Sequence, residues 1–289
     1  MTATAIGLVL GAIVAALAWP ATEASFDVEP LRRTNYRGAE LVTSIGVLIP
    51  VTVLVVVAAA ELVTAADDAW YAWNQLSVAT LLAVTGYSLL GLLDDVTGVG
   101  QSGGFRGHLA TLRRGRVSSG MVKLLGGAAL GVVTVAVMGG ATSFLQQDAG
   151  SALGLLRDGA IVALAANLGN LLDRAPGRAT KACSLTFLVL ALVARQSLLL
   201  MPAVAIGAGL GLVVPDLRER GMLGDAGANP LGAVCGIAAL WAVPDPSARW
   251  LLLVGVLGLN LLSEVVSFTK VIDAVAPLRW FDRLGSLRT

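Results

Sequence analysis

A series of apolar blocks constrains this chain more than any other feature of its sequence. Each block is about 15 to 24 residues long, and the charged residues are confined to the gaps between blocks. An apolar helix of about 20 residues matches the roughly 30 Å hydrocarbon core of a bilayer. The strands of a transmembrane β-barrel alternate apolar and polar residues, and these blocks do not alternate. The sequence therefore predicts an all-α fold, a polytopic transmembrane helical bundle.

Composition and charge agree with this interpretation. Of the 289 residues, 56% are hydrophobic and 13% are charged, whereas soluble domains carry about 25% charged residues. The net charge of +1 makes a nucleic-acid partner unexpected, because such a partner calls for a basic excess. Cys183 and Cys235 both lie inside apolar blocks, so no disulfide framework is indicated. We expect one integral membrane domain, residues 1–289, with the lipid bilayer around it.

The apolar blocks predict nine membrane spans, or ten if a boundary is drawn differently. Two spans are short: one follows Arg157 and Asp158, and another ends at Arg195. An alternative interpretation joins 182–215 into one long tilted helix with Arg195 buried. The nine predicted spans are 3–20, 41–63, 76–93, 119–140, 159–172, 182–194, 198–215, 229–243 and 249–268.

The distribution of basic residues favours nine spans with the N-terminus outside. Lysine and arginine are enriched in the cytoplasmic loops of membrane proteins. In this topology only Arg157, Arg195 and Arg249 face outward, and the other seventeen of the 20 basic residues face inward. The predicted cytoplasmic segments are 21–40, 94–118, 173–181, 216–228 and the C-terminal segment 267–289. The chain is thus predicted to cross a plasma membrane several times, with its C-terminal segment in the cytoplasm.

Two adjacent carboxylates end the third predicted span. Asp94 and Asp95 lie at a helix C-terminus, where the helix dipole disfavours negative charge, and they also repel each other. Such a pair needs a proton, a basic partner or a metal cation. A solvated helix end paired with Arg106 or Arg113 is the simpler alternative.

A lysine lies one turn inside the fourth predicted span. Lys123 follows the sequence Ser118-Ser119-Gly120-Met121-Val122, and an ammonium in an apolar helix is costly unless it is paired or hydrated. It either extends toward the membrane surface or binds an anion.

The fifth predicted span ends in a polar series. Asn167, Asn170 and Asp173 are spaced three residues apart, which places them along one side of a helix, and Arg174 and Arg178 follow. These side chains must face protein or a polar cavity rather than lipid. Hydrogen bonding between helices is the structural alternative.

A glycine-flanked acid precedes the eighth predicted span. Glycines on both sides of Asp225, at positions 224 and 227, allow the backbone to approach a ligand closely. Asp94, Asp95 and Asp225 together supply oxygen ligands suited to Mg²⁺, and the nearby basic residues suit a phosphorylated substrate. The residues alone therefore suggest Mg²⁺-assisted phosphoryl chemistry at the inner membrane surface.

From about Arg33 to Trp241 the sequence resembles the polyprenyl-phosphate N-acetylhexosamine-1-phosphate transferase family, which includes the bacterial phospho-N-acetylmuramoyl-pentapeptide transferase. The resemblance rests on four motifs in order: Asp94-Asp95, the stretch around Lys123, Asn167-x-x-Asn170-x-x-Asp173, and Gly224-Asp225-x-Gly227. It implies Mg²⁺-dependent transfer of a sugar-1-phosphate from a UDP-sugar to polyprenyl phosphate, with release of UMP, in cell-envelope glycan synthesis.

The resemblance also implies roles for individual residues. Asp94, Asp95 and Asp225 would be the catalytic and metal-binding carboxylates. The substrate-binding residues would be Lys123, Asn167, Asn170, Asp173, Arg174 and Arg178. Partners would be polyprenyl phosphate and a nucleotide-sugar, with a second copy of the chain or envelope-assembly proteins as further candidates.

The chain departs from the family pattern at several substrate-binding positions. Gly98, Arg174 and Ala228 stand where the family usually has lysine, glycine and serine, and no histidine follows His108. Three alternatives to the transferase therefore stay open. They are a non-catalytic descendant that binds polyprenyl phosphate or scaffolds envelope-assembly proteins, a phosphotransferase of the CDP-alcohol type, and a lipid or ion transporter.

Overall fold

The computed structural model describes residues 2–64, 75–97, 119–139, 152–194 and 199–287. The predicted all-α class is confirmed, with one small addition: a two-stranded antiparallel hairpin, β1 (Arg32–Thr34) and β2 (Glu40–Val42), between the first two helices. The helices are α1 (Thr2–Phe26), α2 (Leu48–Thr64), α3 (Gln75–Thr97), α4 (Ser119–Gly139), α5 (Ala152–Leu172), α6 (Arg178–Ala194), α7 (Leu200–Leu217), α8 (Asp225–Ala242), α9 (Pro246–Ser263), α10 (Phe268–Ala274) and α11 (Ala276–Arg283).

Seven helical stretches in the described residues are long and apolar enough to cross a membrane: Thr2–Phe26, Ile45–Val63, Gln75–Thr97, Ser119–Gly139, Ala152–Leu172, Leu200–Leu217 and Pro246–Ser263. Helix α6 has 17 residues and is too short, and α8, which begins with Asp225 and includes Asn229 in its first turns, is less apolar than the seven. The protein therefore has the character of a membrane protein. The count of nine to ten spans and the outside location of the N-terminus stay predictions.

Several predicted helix boundaries differ from the observed ones, most at the starts of the second and fifth spans. The second span was expected from residue 41, but residues 40–42 pair with β1 and α2 begins at Leu48. The fifth was expected from residue 159, but α5 begins at Ala152 because Arg157 and Asp158 are buried within it. The long helix 182–215 is not observed, since Leu199 is not helical; Arg195 lies outside the described residues.

Helix α8 is the centre of the bundle. Every residue from Ala226 to Trp241 is buried, and α8 packs against α3, α5, α6 and α7. The neighbouring helices pack directly against the backbone of α8. For example, a Cβ added at Gly232 would lie 2.3 Å from the carbonyl oxygen of Ala165. A membrane interior offers no hydrophobic drive between helices, so small residues that permit close packing stabilise such contacts. This packing fixes the first residue of α8, Asp225, relative to α3 and α5.

Helices α1 and α7 also pack at backbone distance. Four glycines lie between them, two on each helix and four residues apart, so that a Cβ at Gly11 would lie 2.1 Å from the carbonyl oxygen of Val204. A Cβ at Gly207 would likewise meet the carbonyl oxygen of Leu8 at 2.2 Å. Each helix therefore presents a glycine-lined face that accommodates the backbone of the other.

Candidate functional site

The acids of two motifs meet at a single lysine. The ammonium of Lys123, on α4, forms ion pairs with the carboxylates of Asp225 at the start of α8 and of Asp94 near the end of α3, the latter at 3.5 Å. The hydroxyl of Ser119 also donates a hydrogen bond to Asp94 Oδ1 at 2.9 Å. Lys123 therefore neither extends into solvent nor stands alone. It neutralises part of the charge of the two acids.

Asn170 completes this cluster from a fourth helix, α5. Its side-chain amide donates to Asp225 Oδ2 at 3.2 Å. The side chains of Lys123, Asp225 and Asp94 keep 15%, 21% and 25% of their surface exposed. The cluster is thus partly open, and a small polar ligand could reach it. We call Asp94, Lys123, Asn170 and Asp225 the acidic cluster.

Asp95 makes a different set of contacts from its neighbour Asp94. Its Oδ1 accepts a hydrogen bond from the backbone N–H of Asp225, and its Oδ2 accepts one from the N–H of Ala226, both at 3.1 Å. The hydroxyl of Ser44 donates to Oδ2 at 2.7 Å. The carboxylate thus caps the positive end of α8 from another helix, a position that stabilises negative charge. Both of its oxygens are already used by the fold.

Two glycines allow α3 to reach the start of α8. A Cβ at Gly91 would lie 2.3 Å from the backbone of Asp225, and one at Gly224 would lie 2.7 Å from Asp95 Oδ2. Gly224 also has φ +70°, a left-handed conformation that other residues rarely adopt. The glycine before Asp225, expected to admit a ligand, instead admits the side chain of Asp95.

The β-hairpin supports the same region and was not foreseen from the sequence. Arg33 donates hydrogen bonds to the carbonyl oxygens of Asp95 and Val96, placing a cation at the C-terminus of α3. Ser44, just after the hairpin, has φ 63° while it binds Asp95. No local sequence signal marks a serine for this conformation, which is why Ser44 escaped prediction.

The polar series on α5 divides between two surroundings. The side-chain amide of Asn167 donates to Asn260 Oδ1 on α9 at 2.7 Å, while Asn170 faces Asp225. At 100° per residue, three positions advance a side chain by about 300°, so each step turns it back by about 60°. Asn167 therefore joins two helices, as in the structural alternative, and lies outside the acidic cluster.

Asp173 lies just beyond α5 and is partly buried. Burial raises the pKa of its carboxyl well above the ordinary value, and the carboxylates of Asp216, Asp225 and Asp95 raise it further, whereas Arg174 lowers it. Asp173 therefore belongs to the electrostatic surroundings of the acidic cluster. Arg174 is exposed at its edge.

Arg178, predicted to bind substrate, binds another part of the chain. Its guanidinium donates to Asp282 through Nε at 2.6 Å and through a terminal nitrogen at 2.9 Å, and to Thr269 Oγ1 at 2.8 Å. Both members of the pair are only 4% exposed. The structure thus places Arg178 in the attachment of the C-terminal segment.

An apolar cavity of about 460 Å³ lies on the other side of α5 and α8 from α3 and α4. Its lining is almost entirely hydrocarbon, from α5, α6, α8, α9 and α10, and includes Gly169 and Leu172, neighbours of Asn170 along α5. Cys183 and Cys235 also line it. The volume and chemistry fit part of a lipid chain.

A second charged cluster contains Arg157 and Arg249, two of the basic residues predicted to lie on the outer side; that side stays a prediction, but both side chains are buried. Asp158 accepts from Arg157 Nε at 2.7 Å and from a terminal nitrogen of Arg249 at 2.6 Å. The three side chains are at most 1% exposed. Arg249 also donates to the carbonyl oxygens of Val243 and Leu240. We call Arg157, Asp158 and Arg249 the buried triad.

The donor set fits Mg²⁺ with fewer protein ligands than expected. Asp94 and Asp225 offer hard oxygen donors in a partly open position, and Mg²⁺ is commonly held by one or two carboxylates together with substrate phosphates. Both carboxylate oxygens of Asp95 already accept hydrogen bonds from the backbone at the start of α8. Among the described residues, no group of three or more carboxylate, histidine or cysteine side chains is arranged to hold a metal ion.

No protein-family model matches the chain, and no curated protein matches it. The family resemblance therefore continues to rest on the four motifs. Of the predicted site residues, the structure brings together Asp94, Lys123, Asn170 and Asp225, places Asp95 and Asp173 beside them, and leaves Arg174 at the edge. Asn167 and Arg178 bind elsewhere. Arg106 and Arg113 lie outside the described residues.

Proposed function

We propose that this protein transfers a sugar-1-phosphate from a UDP-sugar to polyprenyl phosphate, with Mg²⁺, at the cytoplasmic face of the membrane. The observation that carries the proposal is the acidic cluster. Four apolar helices bring two carboxylates, an ammonium and an amide to one partly exposed position. Ionisable groups are expensive inside a membrane, and unlike a fully buried ion pair this cluster is open to a ligand.

The charge of the cluster suits phosphate chemistry. Asp94 and Asp225 carry two negative charges against one positive charge on Lys123, so the cluster can accept a further cation. These two carboxylates would hold Mg²⁺, which when bound neutralises the charge that develops on a diphosphate. Lys123 would then be released toward a phosphate oxygen, and Asn170 would hold Asp225 in place.

The apolar cavity supports a lipid acceptor. Its lining includes Gly169 and Leu172 near the end of α5, so a prenyl chain held there could pass that helix end and bring its phosphate toward Asn170 and the acidic cluster. A water-soluble acceptor would have no use for a cavity lined by hydrocarbon. Asp94 or Asp225 would orient the attacking phosphate.

Release of UMP tests the proposal. Purified protein in nanodiscs would be given polyprenyl phosphate, Mg²⁺ and a panel of UDP-sugars. We expect UMP release with at least one sugar and its loss in Asp225→Asn. A matched control is Glu23→Gln, an exposed acid outside the cluster. The absence of turnover with every sugar by a folded protein would refute the proposal.

A non-catalytic role as a polyprenyl-phosphate-binding or scaffold protein is the second candidate. The observation that favours it is that Lys123 already pairs with both acids, so the cluster is stable without a metal or substrate. The same assay separates the two candidates when combined with lipid binding. Polyprenyl phosphate that binds and raises the Tm without any UMP release would favour the scaffold.

A further inference from the structure

Helix α11 is amphipathic, but its two faces are reversed relative to those of a helix on a water-soluble protein. Its acid Asp282 points inward and is 4% exposed, held by the two hydrogen bonds from Arg178. Lys181 reaches the same segment and donates to the carbonyl oxygens of Phe281 at 3.2 Å and Leu284 at 3.3 Å. The polar face of α11 is therefore its protein-binding face.

The apolar face points away from the protein. Trp280 is 67% exposed, Leu278 is 45% exposed, and Leu284, just after the helix, is 50% exposed. Val271 and Val275, before α11, are also exposed. Large apolar side chains in water are unfavourable when they form one continuous face, and such faces mark contact with another apolar body.

We infer that α11 lies in the plane of the membrane interface, with Leu278, Trp280 and Leu284 in the headgroup–acyl boundary. An interfacial helix has a polar face and an apolar face that is buried shallowly in lipid, and tryptophan is enriched at this depth. Here the inward acid is neutralised by Arg178, while Arg283 pairs with Asp273 where both side chains stay about 40% exposed, as the polar face of an interfacial helix allows. The inference is independent of the proposed function.

Continuity with a membrane helix identifies lipid as the occupant. Helix α9 is apolar and long enough to span, and its last turn leaves Leu261 62% exposed; Val265, just beyond it, is 80% exposed. Helix α10 begins at Phe268, only three residues after Val265, so the exposed apolar surface of α9 continues into the C-terminal segment. The surface that faces lipid along α9 thus extends to α11.

The contacts of α10 show what a helix α11 held at the membrane interface would stabilise. Phe268, Val271 and Ile272 of α10 line the apolar cavity, and Thr269 of the same helix binds Arg178. A helix held at the interface keeps α10 against the cavity. The C-terminal segment therefore forms part of the boundary between the cavity and the bilayer.

Spin-label accessibility in nanodiscs tests the inference on the full-length protein. Labels would be introduced by Trp280→Cys and Leu278→Cys, with Leu261→Cys on α9 as the lipid reference and Glu40→Cys on the hairpin as the aqueous reference. The native cysteines, Cys183 and Cys235, are buried, and unsubstituted protein measures their background labelling. We expect the labels at 280 and 278 to collide with oxygen and lose accessibility to a water-soluble nickel chelate, as at 261.

Two outcomes would overturn the inference. Nickel accessibility at 280 and 278 equal to that at residue 40 would place α11 in water. Protection from both reagents, together with cross-linking between copies through residue 280, would identify a second copy of the chain as the partner. The use of two label positions guards against the misfolding of one variant, and each sample is checked for a monodisperse elution profile.

Discussion

The acidic cluster and the buried triad place ionised groups in the same apolar bundle, yet their surroundings differ. Both include α5: Asp158 lies near its beginning and Asn170 near its end, 12 residues and roughly 18 Å apart along the axis. The triad is at most 1% exposed, with one acid between two arginines. The acidic cluster keeps 15–25% exposure, with one lysine between two acids.

This difference separates structural charge from candidate functional charge. The triad joins α5 to the start of α9 and directs further hydrogen bonds to backbone carbonyls, so it leaves little room for a ligand. The acidic cluster has an excess of negative charge and an open side. Exposure and charge balance, rather than the presence of charges in a membrane segment, therefore indicate where a ligand would bind.

The largest effect is expected at the triad. Asp158→Ala would leave two arginines buried without their shared acid, which should lower the free energy of unfolding by about 3–5 kcal/mol. The matched control is Glu23→Ala, which removes the acid of an exposed pair with Arg220 and should cost less than about 1 kcal/mol. Unfolding in mixed micelles measures both. Equal losses would show that the triad is not the structural element described here.

The acidic cluster should respond to Mg²⁺, and the triad should not. At about 100 times its Kd, Mg²⁺ should raise the free energy of unfolding by roughly 2.7 kcal/mol. Asp94→Asn should remove most of this increment because it removes a metal ligand. Asp158→Asn should retain it. A wild-type protein that is insensitive to Mg²⁺ would contradict the metal site and weaken the proposed transferase.

Substitution of two glycines, each with a positive φ, tests the contact between α3 and α8. Gly224→Ala should cost about 2 kcal/mol, because its Cβ would meet both Asp95 and Ser44. Gly38→Ala on the hairpin has φ +81° but no atom within 4 Å, so its cost should be about 1 kcal/mol from the backbone alone. Thermal unfolding of the two variants compares them, and an equal cost would argue against tight packing at Asp95.

The smallest effect is expected in the pH dependence of stability near the acidic cluster. Because the folded protein raises the pKa of Asp173, the neutral acid is favoured in the folded state. Its stabilising contribution should be complete below the ordinary pKa and lost as pH rises through the raised one. Asp173→Asn should remove this decline. Parallel curves of Tm against pH for the wild type and the variant would contradict a raised pKa for Asp173.

The sequence predicted the features that depend on a local pattern of residues. It missed the features that depend on contacts between residues far apart in the chain. Apolar blocks located the long helices, and motif residues on different blocks did converge at Lys123. Arg157 and Asp158 looked like a loop because hydropathy records their charge, whereas their burial depends on Arg249, about 90 positions later. The role of Asp95 as a metal ligand stays a prediction, whereas its hydrogen bonds to the start of α8 were not foreseen, because they require knowing that α3 ends there.

The glycine faces of α1 and α7 have a consequence for the order of assembly. Gly11 and Gly207 are 207 − 11 = 196 positions apart, so at 5–20 residues per second α7 is synthesised about 10–40 seconds after α1. During that interval the close-packing surface of α1 has no α7 to cover it, so this contact forms only after most of the bundle has been synthesised.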